Sequence, residues 1–269
     1  GGGGEAPSPV TPAPPRNKAA QPVSSPQKEE DFSWQDTQIG AAVQGLPLAD
    51  HLELVRSCIS AVHEVTPAED ASPHSIEVGN ALLTMRAPPP VVADAIRTAM
   101  TQGTQDLLLV IKDPLVLASS MEALLRVLPR PLLSQQLETA LAAAGNDRRN
   151  AQHALAEIVT AFLDSEGEFL ELLVQVVWLL SNLAHSACKT TSSALARFIT
   201  PSLLSAHGAP RGLSNVDARV VIAIEEFIEH YDAILEGQVI YHPADEIVPE
   251  EAAGMASPPQ SGGGAAGGE

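Results

Sequence analysis

The stretch 168–185, EFLELLVQVVWLLSNLAH, carries the strongest core signal in this chain of 269 residues. Its apolar residues recur at the spacing of one helix face, namely at Phe169, Leu172, Leu173, Val176, Leu180 and Leu183. Leu170, Val177 and Leu179 extend the apolar surface almost all the way round. A helix that is apolar on every side is typical of the centre of a bundle, so this stretch predicts a central helix.

Helical patterns continue on both sides of that stretch. The Asp113-Pro114 pair predicts a helix start, with Asp113 as the N-cap and Pro114 in the first turn. Pro129, Pro131 and Pro201 are each predicted to end a helix. The sequence has no alternating strand pattern, no hairpin turn and no internal repeat, so the predicted fold class is all-α. The further predicted helices cover about 49–65, 91–103, 113–127, 133–144, 149–163, 191–198 and 216–235.

The two ends of the chain differ in composition from this helical part. Seven of the 22 prolines lie in residues 1–30, and ten of the 19 glycines lie in residues 1–4 and 248–269. Segments of this kind bury too little apolar surface to fold. We therefore predict disordered tails over 1–45 and 240–269, with one multi-helix domain over 46–239. The proline-rich sequence of the first tail favours a role as a linker. The alternative is that it is a ligand for proline-motif-reading modules.

Charge and cysteine content exclude several functional classes. The chain has 15 basic and 33 acidic residues, for a net charge of −18. Such a surface argues against nucleic-acid binding and against broad adhesion to anionic lipid. Two cysteines allow neither a disulfide framework nor a cysteine-based zinc cluster. No apolar run approaches the roughly 18 residues of a membrane span, so we expect a cytoplasmic location. We also expect no metal and no cofactor.

The polar residues form no recognised catalytic motif. His153 and His185 are predicted on helix surfaces, without the spacing of metal ligands. Glu225, Glu226 and Glu229 lie opposite an apolar stripe, and this pattern favours a solvated helix face over a set of metal ligands. Nothing in the sequence indicates a self-contained hydrolase, kinase or oxidoreductase.

Three blocks of sequence resemble one known family. The run 117–133, LASSMEALLRVLPRPLL, resembles the L-L-K-x-x-L-R-E-L-P-E-P-L helix of Rho GTPase-activating (RhoGAP) domains. The run 189–204, KTTSSALARFITPSLL, is similar to the family's N-K-M-T-x-x-N-L-A-x-x-F-G-P-x-L-L, and 220–235 is similar to its closing helix. The order and spacing of the three blocks agree with the family. The segment 135–141 also resembles the RhoGAP-like domain of inositol polyphosphate 5-phosphatases.

The resemblance implies one candidate for the family's arginine finger. RhoGAP domains insert an Arg into the GTPase, and such an Arg accelerates GTP hydrolysis by about 10³–10⁵. The matching stretch, LTMRAPP at 83–89, makes Arg86 the candidate. It lacks the family's Gly and Phe, and prolines replace the flexible Ser-Gly. The alternative is an exposed Arg at the end of a helix.

The resemblance also implies a set of GTPase-binding positions. At Glu122 the family has a Lys, which implies a reversed charge on the partner-facing surface. At Ala194 it has an Asn that hydrogen-bonds the GTPase. Arg126 matches an Arg that supports the finger loop, and Lys189 and Pro201 belong to the second block.

The function that the resemblance implies is binding of a Rho-family small GTPase of the Rac, Cdc42 or Rho type, preferably GTP-bound. The departures at Glu122 and Ala194 imply weak or absent GTPase activation. Two alternatives stay open, namely an active GTPase-activating protein that uses Arg86 and a helical interaction scaffold without a GTPase partner. If the domain binds a GTPase, with or without activating it, then it is a regulator that is recruited to membranes through its partners.

Overall fold

The part of the chain that the structure describes is built from helices. The structure is a computed structural model, and it describes residues 1–2, 38–66, 85–102, 107–188, 190–207 and 209–236. Within these ranges no β-strand occurs, and the single β-type pairing is an isolated bridge between Ala206 and Ala209. The predicted all-α class is therefore confirmed.

The helices follow one another with short connections. A short helical segment covers 38–42, and a 3-10 turn covers Leu213–Asn215. The remaining helices are α1 (Leu48–Glu64), α2 (Pro89–Gln102), α3 (Leu107–Val110), α4 (Pro114–Arg126), α5 (Gln135–Gly145), α6 (Ala151–Glu166), α7 (Glu168–His185), α8 (Ser192–Leu203), α9 (Ala218–Glu229) and α10 (Tyr231–Leu235).

Helix α7 is central, as the sequence predicts. It packs against α1, α6, α8, α9 and α10. The apolar residues outside its main stripe, Leu170, Val177 and Leu179, are buried together with that stripe. Five helices pack against α7, so most of its circumference buries apolar surface, and a narrow strip at Glu171, Trp178 and Asn182 stays partly exposed.

Helix α4 positions the residues that the resemblance singles out. The Asp113 carboxylate accepts a hydrogen bond from the Leu115 amide at 2.9 Å, so the predicted N-cap is confirmed. The helix lies against α1, α2 and α8. Eleven of its residues, Val116 to Arg126, are buried in succession, including the polar Ser119, Ser120 and Glu122. Polar groups in such a position require partners inside the protein.

Three predicted boundaries are wrong. The predicted tail reaches residue 45, but Ile39 and Val43 are buried in the main core. Pro201 does not stop α8 but lies inside its last turn, where few backbone hydrogen bonds depend on its missing N–H. The predicted helix over 216–235 is two helices, because His230 leaves the helical conformation with φ −119° and ψ 28°.

Some predictions fall outside the described residues. The tail sequences 3–37 and 237–269 are among these, so the predicted disorder stays a prediction.

Cys58 and Cys188 are free and buried, and burial raises the pKa of the Cys58 thiol to about 12. A thiol held in this way is inert at neutral pH. None of the described helices combines the length and apolarity needed to cross a membrane.

Helices α5 and α9 make a close backbone contact at Gly145. A Cβ atom built on Gly145 would lie 1.9 Å from the carbonyl oxygen of Arg219 and 3.1 Å from the amide nitrogen of Ala223. Both atoms belong to the backbone of α9, so neither can move without shifting that helix. The glycine at the end of α5 therefore permits the approach of the two helices.

We expect Gly145→Ala to lower the free energy of unfolding by about 1–3 kcal/mol or more, through overpacking against α9. The sign is informative, because the same change in an unobstructed helix stabilises it by about 1 kcal/mol. Urea unfolding of the two proteins measures the difference. An unchanged or increased stability of Gly145→Ala would show that α5 and α9 lie further apart than described.

Candidate functional site

Arg86 lies in the irregular segment 85–88, immediately before α2. The neighbouring Ala87 is buried, and its amide donates a hydrogen bond to Ser119 Oγ on α4 at 2.9 Å. Pro88 accepts the first backbone hydrogen bonds of α2, from Val91 and Val92. The run of prolines therefore starts a helix and stiffens its approach, and the segment that carries Arg86 is fixed to α4.

The Arg86 guanidinium is held by the carboxylate of Glu122. Arg86 Nε donates to Glu122 Oε2 at 2.9 Å, and Arg86 Nη2 donates to Oε1 at 2.5 Å. A two-point contact of this kind fixes the plane of the guanidinium as well as its position. The Arg86 side chain remains 33% exposed, so it lies at the edge of the site.

Glu122 is buried, and the prediction that it faces a partner is wrong. Only 4% of the residue is exposed, and Ser202 Oγ on α8 donates to the same carboxylate at 3.3 Å. A buried carboxylate needs a counter-charge and hydrogen-bond donors, and Arg86 and Ser202 supply them. The Glu at this position thus forms an internal ion pair and presents no reversed charge to a partner.

Phe198 on α8 adds a third contact to Arg86. The Cζ atom of Arg86 lies 5.7 Å from the centre of the Phe198 ring, within the range of a cation–π interaction. Phe198 and Ser202 are four residues apart and therefore share one face of α8. Arg86 is consequently held between α4 and α8, in contact with residues that lie 36 and 112 positions later in the chain.

Arg126 lies one turn after Glu122 on α4 and is also buried, with 4% of the residue exposed. It lines a cavity of about 10 Å³ together with Arg86, Ala87 and Glu122. Such a volume accommodates about one water molecule and excludes a cofactor or a small-molecule substrate. The location of Arg126 beside the Arg86 segment fits the supporting role that the resemblance implies.

The other positions implied by the resemblance fall into three cases. Ala194 is exposed in the first turn of α8, on the same face as Phe198 and Ser202 and about 12 Å along the axis from Ser202. Pro201 is buried inside α8 and has a structural position. Lys189 lies outside the described residues.

The acidic residues of α9 have partners within the protein. Arg148 Nη2 lies 3.0 Å from Glu225, and Arg148 Nε lies 3.6 Å from Glu226. Ser192 Oγ donates a hydrogen bond to the carboxylate of Glu229. The prediction of a merely solvated face is thus incomplete, and no group of metal ligands occurs among the described residues. His153 and His185 are exposed on helices, as predicted.

A second polar cluster fixes the loop between α4 and α5. Arg130 Nη1 lies 2.7 Å from Glu166 Oε2, Ser134 Oγ donates to the same carboxylate, and Arg130 stacks over the Phe169 ring at 3.6 Å. Burial raises the pKa of Glu166, but the hydrogen bonds from Ser134 and Arg130 outweigh it and hold the pKa below its ordinary value. This cluster ties the loop to the junction of α6 and α7.

Sequence reasoning missed the partners of Arg86. Ser119, Phe198 and Ser202 contact the Arg86 segment or Glu122, yet each occupies an ordinary helix position in the sequence. The one available signal was Glu122 itself, an acidic residue in the mostly apolar sequence of α4. Such a residue is expected to have a buried partner of opposite charge.

Comparison of the sequence with protein-family models and with curated proteins finds no match.

Proposed function

We propose that the helical domain is a RhoGAP-like module that binds a Rho-family small GTPase and activates it weakly or not at all. The observation that supports this proposal is the two-point ion pair between Arg86 and Glu122. The pair joins the implied finger position to the first block of the resemblance. Phe198 and Ser202, from the second block, complete the same cluster.

The meeting of these segments favours the resemblance over a chance likeness of short motifs. The resemblance implies that the segment around Arg86 and the blocks around Arg126 and Pro201 form one surface. In the structure, Arg86 contacts Glu122 and Phe198, and Arg126 lines the same cavity as Arg86. If the domain were a helical scaffold without a GTPase partner, the family resemblance would give no reason to expect contact between these segments.

The geometry also explains why activation should be weak. An arginine finger must place its guanidinium against the phosphates of a nucleotide held by the partner. Arg86 can do so only by giving up both hydrogen bonds to Glu122, which would take two donors and an adjacent positive charge away from a buried carboxylate. Breaking a pair of this kind is costly, so the Arg86 side chain favours its internal partner.

The proposal predicts binding that depends on the nucleotide state. We expect GTP-loaded Rac, Cdc42 or Rho to bind with a Kd near the micromolar range, which corresponds to about −8 kcal/mol, and the GDP-loaded forms to bind more weakly. Pull-down and calorimetric titration of both forms measure this preference. Equal binding of the two forms, or no binding across the Rho family, would contradict the proposal.

Single-turnover hydrolysis tests the part played by the ion pair. The unmodified domain should accelerate GTP hydrolysis by far less than the 10³–10⁵ of an active GTPase activator. Glu122→Gln keeps the shape of the side chain and removes the charge that retains Arg86, so it should increase the rate. Arg86→Ala in the same protein should abolish that increase, whereas Arg97→Ala, at an exposed pair on α2, should leave it unchanged.

Such a function places the domain in the cytoplasm, where it would reach membranes through its partner.

A further inference from the structure

Helices α8 and α9 and the turn at 213–215 enclose an open groove of about 430 Å³. Its apolar lining includes Val216, Val221 and Ile222, and Leu213 lies at its rim with 50% of the residue exposed. Leu213, Val216 and Ile222 together form an apolar surface that is partly open to solvent, and a contiguous apolar surface of this kind is typical of an interaction site. The groove is separate from the Arg86 cluster.

The charged residues that line the groove are Arg148, Arg197 and Glu225. Arg148 is engaged by Glu225 and Glu226, so its positive charge is neutralised within the protein. Arg197 has no ion-pair partner among the residues that the structure describes, and it is exposed on α8 four residues after Ser193, which also lines the groove. The occupant should therefore combine apolar side chains with a carboxylate.

We propose that this groove binds the chain's own segment Asp245-Glu246-Ile247-Val248. The segment has the composition that the groove requires, because two carboxylates directly precede two β-branched apolar residues. Ile247 and Val248 would cover Leu213 and Ile222, and Asp245 or Glu246 would pair with Arg197. The surrounding sequence strengthens the match, since residues 240–269 contain five acidic residues and no Lys or Arg.

The segment is within reach of the groove. The described chain continues to Glu236, directly after α10, and the nearest groove residue along the chain is Glu225. A continuous helix over this interval would be roughly 17 Å long. Six extended residues span about 20 Å, so residues 237–242 suffice to return to the groove and deliver Asp245 there.

Attachment to the same chain favours this occupant over a separate protein. A short linker holds the segment near the groove at an effective concentration in the millimolar range. A modest contact formed by one ion pair and two aliphatic side chains is therefore enough to keep the groove occupied. The docking does not depend on the binding of a GTPase at the Arg86 cluster.

Paramagnetic relaxation in the full chain tests the docking. A nitroxide attached at Ala252→Cys would label the acidic segment selectively, because Cys58 and Cys188 are buried. We expect much stronger broadening of the methyl signals of Val221 and Ile222 than of Ile96 on α2, a helix that packs against α3 and α4. Arg197→Glu should abolish the broadening, and adding Glu246→Arg to that variant should restore it.

Matched controls separate docking from general proximity. Arg97→Glu changes an exposed arginine on α2 by the same charge and should leave the broadening unchanged. The inference is overturned if the methyl signals of Val221 and Ile222 are unaffected by the nitroxide, or if their broadening persists in Arg197→Glu. Broadening in a mixture of spin-labelled chain and separately isotope-labelled chain would assign the groove to a second copy, and would equally overturn it.

Discussion

Replacing Glu122 by Lys is expected to destabilise the domain by about 3–5 kcal/mol, the cost of breaking a buried ion pair. The change removes the carboxylate that accepts both hydrogen bonds of Arg86 and the one from Ser202. It also introduces a second cation beside Arg86, at a position where only 4% of the residue is exposed.

Urea unfolding measures this loss, and the exposed Glu157 provides a matched control. Its side chain is 69% exposed on α6 and lies 3.2 Å from His153. Glu157→Lys changes the charge by the same amount, and a surface substitution of this kind should alter the free energy of unfolding by no more than about 0.5 kcal/mol. A similar effect of both substitutions would show that Glu122 is exposed in solution.

Truncating Leu173 to Ala is expected to cost about 2–5 kcal/mol. Leu173 is 1% exposed and lies on α7, which packs against five other helices. The substitution would leave a cavity among tightly packed helices, and the surrounding side chains can move only a little to fill it. The loss therefore includes the transfer free energy of the deleted atoms and the cost of the empty volume.

Leu48→Ala serves as the comparison for Leu173→Ala. It deletes the same atoms from a residue that is 42% exposed, so its effect should be within about 0.5 kcal/mol. Denaturant unfolding of both variants, compared at equal slope, gives the difference. A Leu173→Ala protein as stable as the Leu48→Ala protein would show that α7 is not the centre of the core.

Local signals in the sequence predicted most helix starts. The Asp113-Pro114 start is visible because an N-cap acts on amides only two or three residues away. The short helical segment over 38–42 was missed, although Ile39 and Val43 have helical spacing, because the pattern is too short to distinguish from the proline-rich text before it. The break at His230 was missed because the apolar stripe continues across it from Ile228 to Tyr231.

Three members of the candidate site were predicted from the sequence, but not its other members or its arrangement. Arg86, Glu122 and Arg126 were named from the resemblance, and the structure brings them to one small cavity. The direction of Glu122 was wrong, because helical spacing fixes the face of a residue only relative to its own helix. Whether that face meets solvent or α8 depends on how the helices pack.

The sequence by itself determined the helical class and the central place of α7, since both follow from the periodicity of apolar residues over distances of a few turns. Only the tertiary structure decided that Arg86 is held by Glu122, that Gly145 lies against Arg219, and that a groove with an exposed Leu213 opens between α8 and α9. The two contacts join segments that lie at least 36 residues apart in the sequence, and the groove forms where separate helices meet. Periodicity carries no information about such contacts, because they are set by the packing of whole helices against one another.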